Sequence, residues 1–243
     1  MSRAVLSNVC NNLRMPAASI RARVRAEMID EIKAIARQHL ATDGANLSLR
    51  AVAREMGMVS SALYRYFASR DDLLTALIID AYHALGDAVE AADAAMEDRT
   101  DLRGRWLAIC HGVRRWALAN PAEYALIFGS PVPGYAAPQD TIAAAQRTPL
   151  ALIRVLADGV AGGLLGEPDP ATLPDEVRAD LVRARGAIPA GLSEELFALG
   201  TVGWIHLFGT VSFELFGQLN NVITAREAYF DYHMRQLADL LGL

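Results

Sequence analysis

With 243 residues, 53% of them hydrophobic and 21% charged, the chain is long enough to bury a substantial core in one or two domains. It contains no run of about eighteen apolar residues, a poor signal peptide at Met1–Asn12, and two cysteines, Cys10 and Cys110, without metal-ligand spacing. Those features exclude a transmembrane segment and a cysteine-built metal site, and point to a soluble cytoplasmic protein. The net charge of −5 hides an asymmetry: residues 1–70 carry 11 Lys/Arg against 5 Asp/Glu (+6), and residues 71–243 carry 12 against 23 (−11). A basic head on an acidic body fits a chain in which one domain meets phosphates and the other does not. Residues 1–19 read as a flexible basic arm with Arg3 and Arg14, either a DNA-touching arm or a solvated terminus. Arg21, Arg23 and Arg25 then open a first long helix. Val24, Met28, Ile32, Ile35 and Leu40 give it an apolar stripe, and Asp43-Gly44 signals its end.

From Ser48 two short amphipathic runs meet at Gly57. With Leu49 as the first helical position, Ala53 falls fifth and Gly57 ninth, and apolar Val52, Met56, Met58 and Leu63 fall fourth, eighth, tenth and fifteenth. A helix-turn-helix requires this arrangement. The small Ala53 lets the helices cross, Gly57 accepts a positive φ, and the apolar set fills the corner. Ser48 is placed to cap the first helix. In the second, recognition helix, Ser60, Ser61 and Ala62 occupy the positions nearest base edges. Leu63 and Phe67 face inward, which turns Tyr64, Arg65 and Tyr66 towards the DNA side. Ser48 and Arg50 are expected to bond phosphates from the first helix of the motif.

The run Leu63-Tyr64-Arg65-Tyr66-Phe67, followed by Ala68-Ser69-Arg70-Asp71-Asp72-Leu73-Leu74, resembles the end of the DNA-binding domain in TetR-family transcriptional regulators. The resemblance extends over Arg21 to about Leu74. It implies phosphate contact for Tyr64, a backbone position for Tyr66, and a phosphate contact for Arg70, which stands where the family usually has Lys. The sequence departs from the family's Gly-Val-Ser turn, since Met58 and Val59 follow Gly57. The usual serine cap must therefore come from Ser60 or be lost. Ser69 is placed to cap a fourth helix, with Asp71 and Asp72 favouring its dipole.

That fourth helix runs from Asp71 through Leu85 towards Met96. Leu102–Ala119 forms another, with Trp106, Ile109, Cys110, Val113, Trp116 and Ala117 on one broad face, and Pro121 starts a short helix ending at Phe128. Gly129–Pro138, with three prolines and two glycines, is a loop. Ile142–Leu165 reads as a helix kinked at Pro149. Residues 166–191 are punctuated by Pro168, Pro170, Pro174, Gly186, Pro189 and Gly191, with a helical piece at Asp175–Arg185. Apolar helices follow over Glu194–Leu219 and Ala225–Leu241. The expected fold is all-α: a three-helix DNA-binding domain (20–70), joined by the long fourth helix to a ligand-binding and dimerisation domain (71–243).

The runs from Glu123 to Tyr135 and from Trp204 to Gly217 resemble a C-terminal type of TetR-like regulators named for Trp-His-Gly residues. Trp204 and Gly209 match, and Phe208 replaces the motif's His; His206 does not inherit that place. The aromatic and apolar excess predicts an effector pocket from Trp106, Cys110, Tyr124, Phe128, Trp204 and Phe208. Phe213, Phe216, Leu219, Tyr229, Met234 and Leu237 on the last two helices predict a homodimer interface, and two heads about 34 Å apart would read a palindromic operator in double-stranded DNA. The histidines are scattered and no nucleophile elbow or phosphate loop occurs, so neither an enzyme, a metal site nor a cofactor is expected. The function expected is a repressor released by an unidentified small molecule. The alternative is a DNA-binding regulator without an effector, whose body serves dimerisation or protein contacts.

Overall fold

The computed structural model describes residues 17–43, 47–166, 168, 173–183 and 191–243, and no strand occurs among them. Arg3 and Arg14 of the expected arm, Gly44 of the expected turn, and Pro170, Gly186 and Pro189 of the punctuated segment lie outside the described residues. The chain divides into two compact units in sequence, Met1–Leu73 and Leu74–Leu243.

In the first unit, α1 (Ala17–Asp43), α2 (Leu49–Glu55) and α3 (Ser60–Leu63) precede the opening turn of α4 (Arg70–Ala94). The last three residues of the expected arm are thus helical. Ile32, Ala36 and Leu40 of α1 pack with Leu47, Leu49, Val52, Ala53, Leu63, Phe67 and Leu73 as the buried apolar set of this unit. The expected stripe on α1 is used only in part, because Val24 is 50% exposed. The reason is length. A helix of 27 residues runs about 40 Å, whereas α2 with 7 spans about 10 Å and cannot cover it all. Polar clasps finish the unit: His39 Nε2 lies 2.6 Å from Glu55 Oε2, and Arg70 Nε donates to the Leu47 carbonyl at 3.0 Å.

In the second unit, α5 (Leu102–Ala119) is the central element, in contact with α6 (Pro121–Phe128), α8 (Arg147–Ala161), α10 (Glu194–Leu215) and α11 (Arg226–Leu241). The Asp101 carboxylate caps α5 by accepting from the Gly104 amide at 2.8 Å. From there Leu102, Trp106, Ile109, Cys110, Val113, Trp116 and Ala117 recur at helical spacing, and all are buried. Trp106 donates its Nε1 hydrogen to the Met234 carbonyl at 3.2 Å, which ties α5 to α11. Gly203 lets α10 come close, since a Cβ there would lie 2.8 Å from Trp106 Cη2. By length and composition α10 could cross a membrane; here one face of it packs against α5, α8 and α11.

The single helix expected over Ile142–Leu165 is in fact two, preceded by a 3-10 turn at Gln139–Thr141: α7 (Ile142–Ala145) gives way to α8 at Gln146. Pro149 has no amide hydrogen for the Ala145 carbonyl, and its ring crowds that oxygen, so the break falls just ahead of the proline. The helical piece in the punctuated segment is α9 (Asp175–Arg183), whose Arg178 pairs with Glu195 at the start of α10.

Among the described residues of this unit two charged side chains are buried, Glu195 at 8% exposure and, more deeply, Arg105. Arg105 of α5 is 1% exposed; its Nε and Nη2 reach Asp93 of α4 at 2.8 and 3.3 Å, and Nη2 also meets Asp158 of α8 at 2.8 Å. Burial raises the pKa of Asp93, but hydrogen bonds from Arg105 and Arg99 outweigh that and hold it below the usual carboxylate value. Its contribution to stability is therefore complete above the unfolded-state pKa and is lost as pH falls through the lower folded value. Asp93→Asn should cost about 2 kcal/mol in urea unfolding near neutral pH, because it removes the charge that two guanidinium nitrogens share and leaves Asp158 as the remaining carboxylate. Asp158→Asn should cost less, its carboxylate being 56% exposed. The gap between wild type and Asp93→Asn should close as the solution is made acid.

Candidate nucleic-acid interface and effector cavity

The turn between α2 and α3 is built on Gly57, at φ +66°. The Gly57 amide donates to the Arg54 carbonyl at 3.1 Å and the Met58 amide to the Ala53 carbonyl at 2.8 Å, a paired closure that ends α2. Ser48 caps its start, accepting from the Ala51 amide at 3.4 Å. Of the two outcomes left open for the α3 cap, the cap is lost: Val59 occupies the position and offers no side-chain hydrogen bond. Leu63 is fully buried and anchors the single α-turn, which continues as turns to Phe67.

This anchoring orders the expected DNA-facing residues. Ser61, Arg65 and Arg50 are exposed, Ser60 and Ala62 are partly so, and Tyr64 is 47% exposed. Tyr66 is half-buried beneath Arg25, whose guanidinium lies 5.1 Å from the ring centroid and donates to the Arg65 carbonyl at 3.1 Å. A cation over the ring fixes Tyr66 in place, which the sequence reading did not foresee. Ser48 is exposed but engaged as the cap. Arg70 gives its Nε to the Leu47 carbonyl and so clamps the entry of α2 to the start of α4. Ser69 caps α4 as expected, accepting from the Asp72 amide at 3.0 Å.

In the second unit a cavity of about 620 Å³ opens among α4, α6, the 129–138 loop, α7, the start of α8, and α10. Of the six residues expected to form an effector pocket, Phe128, Trp204 and Phe208 line it. Trp106, Cys110 and Tyr124 do not. Trp106 and Cys110 are fully buried on the α5 core face, and burial pushes the Cys110 thiol pKa well up, leaving an inert packing residue. Tyr124 is also fully buried; it donates to the Phe208 carbonyl at 3.0 Å and shares a 2.8 Å bond with Ser212. Burial, partly opposed by the Ser212 bond, pushes its phenol up to about 12. Bulk on a central helix identified these three as large and inward, and inward here means core.

Lining residues that were not expected from the sequence include Ile78 and Tyr82 of α4, Ile127 of α6, and Tyr135 of the loop. An aromatic set in a proline- and glycine-rich loop was the available signal for Tyr135. Its hydroxyl lies 2.9 Å from Thr75 Oγ1. Tyr82 packs edge-on to Phe128, with ring centroids 6.0 Å apart, and Phe128 stands 4.3 Å from Phe208. Burial and then the neighbouring Tyr135 phenol raise the Tyr82 pKa, so it stays an uncharged donor near neutral pH.

The expected interface residues fall into two groups. Phe213 and Phe216 are 55% and 44% exposed, and Leu219 and Tyr229 are partly exposed. Met234 and Leu237 are instead 0% and 4% exposed, because that face of α11 packs on α5 inside the same chain. Those two belong to the protomer's own core and are not available to a partner.

Two family models match the chain. One, described as bacterial regulatory proteins, tetR family, covers residues 32–77; the other, tetracyclin repressor-like, C-terminal domain, covers 106–237. The chain is 39% identical over 210 residues to the HTH-type transcriptional regulator Rv1816 of Mycobacterium tuberculosis, covering 85% of this chain and 88% of that protein. Mb1846 of Mycobacterium bovis, also an HTH-type transcriptional regulator, matches to the same extent. Among solved structures, a protein described as regulatory, SCO4313, shares the fold with a TM-score of 0.74 and 35% identity over 94% of this chain and 100% of that one. The TetR family transcriptional regulator PfmR from Thermus thermophilus shares the fold at 19% identity and a TM-score of 0.55, over 84% and 97% of the two chains.

A Cβ at Gly57 would meet nothing within 4 Å, so the position is constrained by backbone alone. Gly57→Ala should therefore cost about 1–2 kcal/mol, the left-handed penalty, in thermal or urea unfolding. Gly57→Asn should recover part of that loss, as asparagine tolerates this conformation.

Proposed function

The chain belongs to the TetR family of bacterial transcriptional regulators, and we propose that it is a repressor released from a palindromic operator by a small apolar or amphipathic molecule. Its DNA-binding unit spans about residues 20–70, and its effector-binding and dimerisation unit spans about 71–243. The cavity is the observation that carries the effector half of this reading. Its volume of about 620 Å³ is in the range of small-molecule sites, and it is walled by apolar and aromatic side chains. Ile78 and Tyr82 belong to α4, the same helix whose first turn carries Arg70. A molecule that fits one position of α4 better than another shifts the population of heads able to bind, by about 1–3 kcal/mol for ordinary allosteric coupling.

On the DNA side, Ser60, Ser61 and Ala62 approach base edges, while Arg50, Tyr64, Arg65 and Tyr66 serve the phosphates. Arg70 acts through the Leu47 clasp and from the phosphate-facing end of α4. The exposed Phe213 and Phe216, with Leu219 and Tyr229, form a homodimer contact that sets two recognition helices about one DNA turn apart.

Footprinting on the DNA upstream of the chain's own gene at several salt concentrations tests this reading. A palindromic footprint is expected, with affinity falling steeply as salt rises. Tyr64→Phe should weaken binding by about 1 kcal/mol without changing the salt slope, since a neutral hydroxyl displaces no counterion. Arg65→Ala should flatten the slope by about one unit. Absence of any binding at low salt, there or on randomised DNA, would sink the reading.

A further inference from the structure

The chemistry of the cavity wall narrows the class of molecule it can hold. From the residues lining it, we infer that this cavity takes an uncharged, flat aromatic molecule bearing one hydroxyl or carbonyl group, hydrogen-bonded by Tyr135. The inference rests on the effector reading above and specifies its ligand.

None of the described side chains that line the cavity carries a charge. The cation closest in sequence, Arg147, sits between the lining residues Gln146 and Thr148 but is spent elsewhere. Its Nε and Nη2 bind Glu90 at 3.0 and 2.7 Å, and Nη2 also binds Asp87 at 2.6 Å. Nη1 donates to the His83 carbonyl at 3.1 Å. A carboxylate ligand such as a fatty acid would enter without a counterion, and an ammonium ligand would find no carboxylate on the wall. Either would lose its hydration for little in return.

The walls favour a flat ring system. Phe208 lies at the centre of an aromatic group, 4.3 Å from Phe128 and 6.2 Å from Trp204, the latter at 68° between planes. Tyr82 stands edge-on to Phe128 at 87°. Rings set at such angles offer both faces and edges to an inserted aromatic, an arrangement worth more than its buried area alone. Polarity enters the wall through few groups, of which Tyr82 and Tyr135 are neighbours. The Tyr135 hydroxyl already shares a bond with Thr75, and a phenol can both donate and accept. When Thr75 donates to Tyr135, the phenolic hydrogen of Tyr135 is left to point at a ligand oxygen. Tyr82 stays protonated beside it and supplies a second neutral donor.

The test is calorimetric titration of the full chain near neutral pH with a size-matched set: 2-naphthol, naphthalene, 2-naphthoate and decahydro-2-naphthol. Of the three tryptophans only Trp204 lines the cavity, so quenching of tryptophan fluorescence that is lost in Trp204→Phe reports occupancy of the cavity itself. Expected is binding of 2-naphthol at least about tenfold tighter than each of the other three. Tyr135→Phe should bring 2-naphthol down to the affinity of naphthalene while leaving naphthalene unchanged. Should Tyr135→Phe not fold, as judged by its melting curve, Tyr82→Phe serves for the same comparison with a smaller expected loss. Binding of 2-naphthoate or decahydro-2-naphthol as tight as that of 2-naphthol, failure of every probe to bind, or an unaltered preference in the phenylalanine variants would overturn the inference. Release of operator DNA is followed in parallel. Selective 2-naphthol binding without release would uphold the ligand class and count only against the repressor-release reading.

Discussion

A guanidinium that cannot reach water organises the helical body. Arg105 is placed by the apolar periodicity of α5 on the face that must be buried, one residue before Trp106. Its charge is tolerable there only because Asp93 and Asp158 arrive from α4 and α8 with oxygens at 2.8 Å. The adjacent Trp106 fastens the Met234 carbonyl of α11 and is met by Gly203 of α10. Two consecutive residues thus hold α4, α8, α10 and α11 around α5. The apolar contacts supply most of the driving force, and the ion cluster selects which packing of those helices is acceptable.

The cavity is a consequence of how that packing ends. Near Arg105 and Trp106 the helices meet closely and the interior is filled. Towards Phe128, Pro131, Pro133 and Pro138 impose a path that no helix can follow, and the chain leaves the core as a loop. Pro149 breaks the following helix at Gln146. These two interruptions keep α6, α7 and the first turn of α8 from closing on α10, while the rest of α8 packs on it, and aromatic side chains line the space that remains. The same prolines therefore account for both the loop and the room behind it. Arg147, placed directly after the break, is drawn outward by Glu90 and Asp87, which keeps the wall free of charge.

In the DNA-binding unit the corresponding constraint is the turn at Gly57. Its left-handed backbone lets two short helices cross over Ala53, and the buried Leu63 and Phe67 then decide which side chains are left facing outward. Tyr64 and Ser61 are presented because their neighbours are needed inside. α3 is a single turn that starts without a side-chain cap at Val59, and hydrogen bonds from the Tyr66 and Phe67 amides to the Leu63 carbonyl prolong it. Arg25, on a helix remote in sequence, completes the surface by covering Tyr66.

Much of this was legible in the sequence because it is written in local rules. Helical period, proline and glycine punctuation, and capping residues located α5, α6, the 129–138 loop, the Gly57 turn and the caps at Ser48 and Ser69. Each of these depends on residues within a turn or two of one another. Tertiary structure alone decided what each apolar face meets. A helical stripe shows that Trp106, Cys110, Tyr124, Met234 and Leu237 turn inward; it cannot distinguish a filled core from the wall of a cavity or a partner's surface, because those differ only in what arrives from distant parts of the chain. For the same reason the sequence could not show that Arg70 also clasps the Leu47 carbonyl, 3.0 Å from its Nε, and Tyr135 read as one residue of a loop until Thr75 and Tyr82 came beside it.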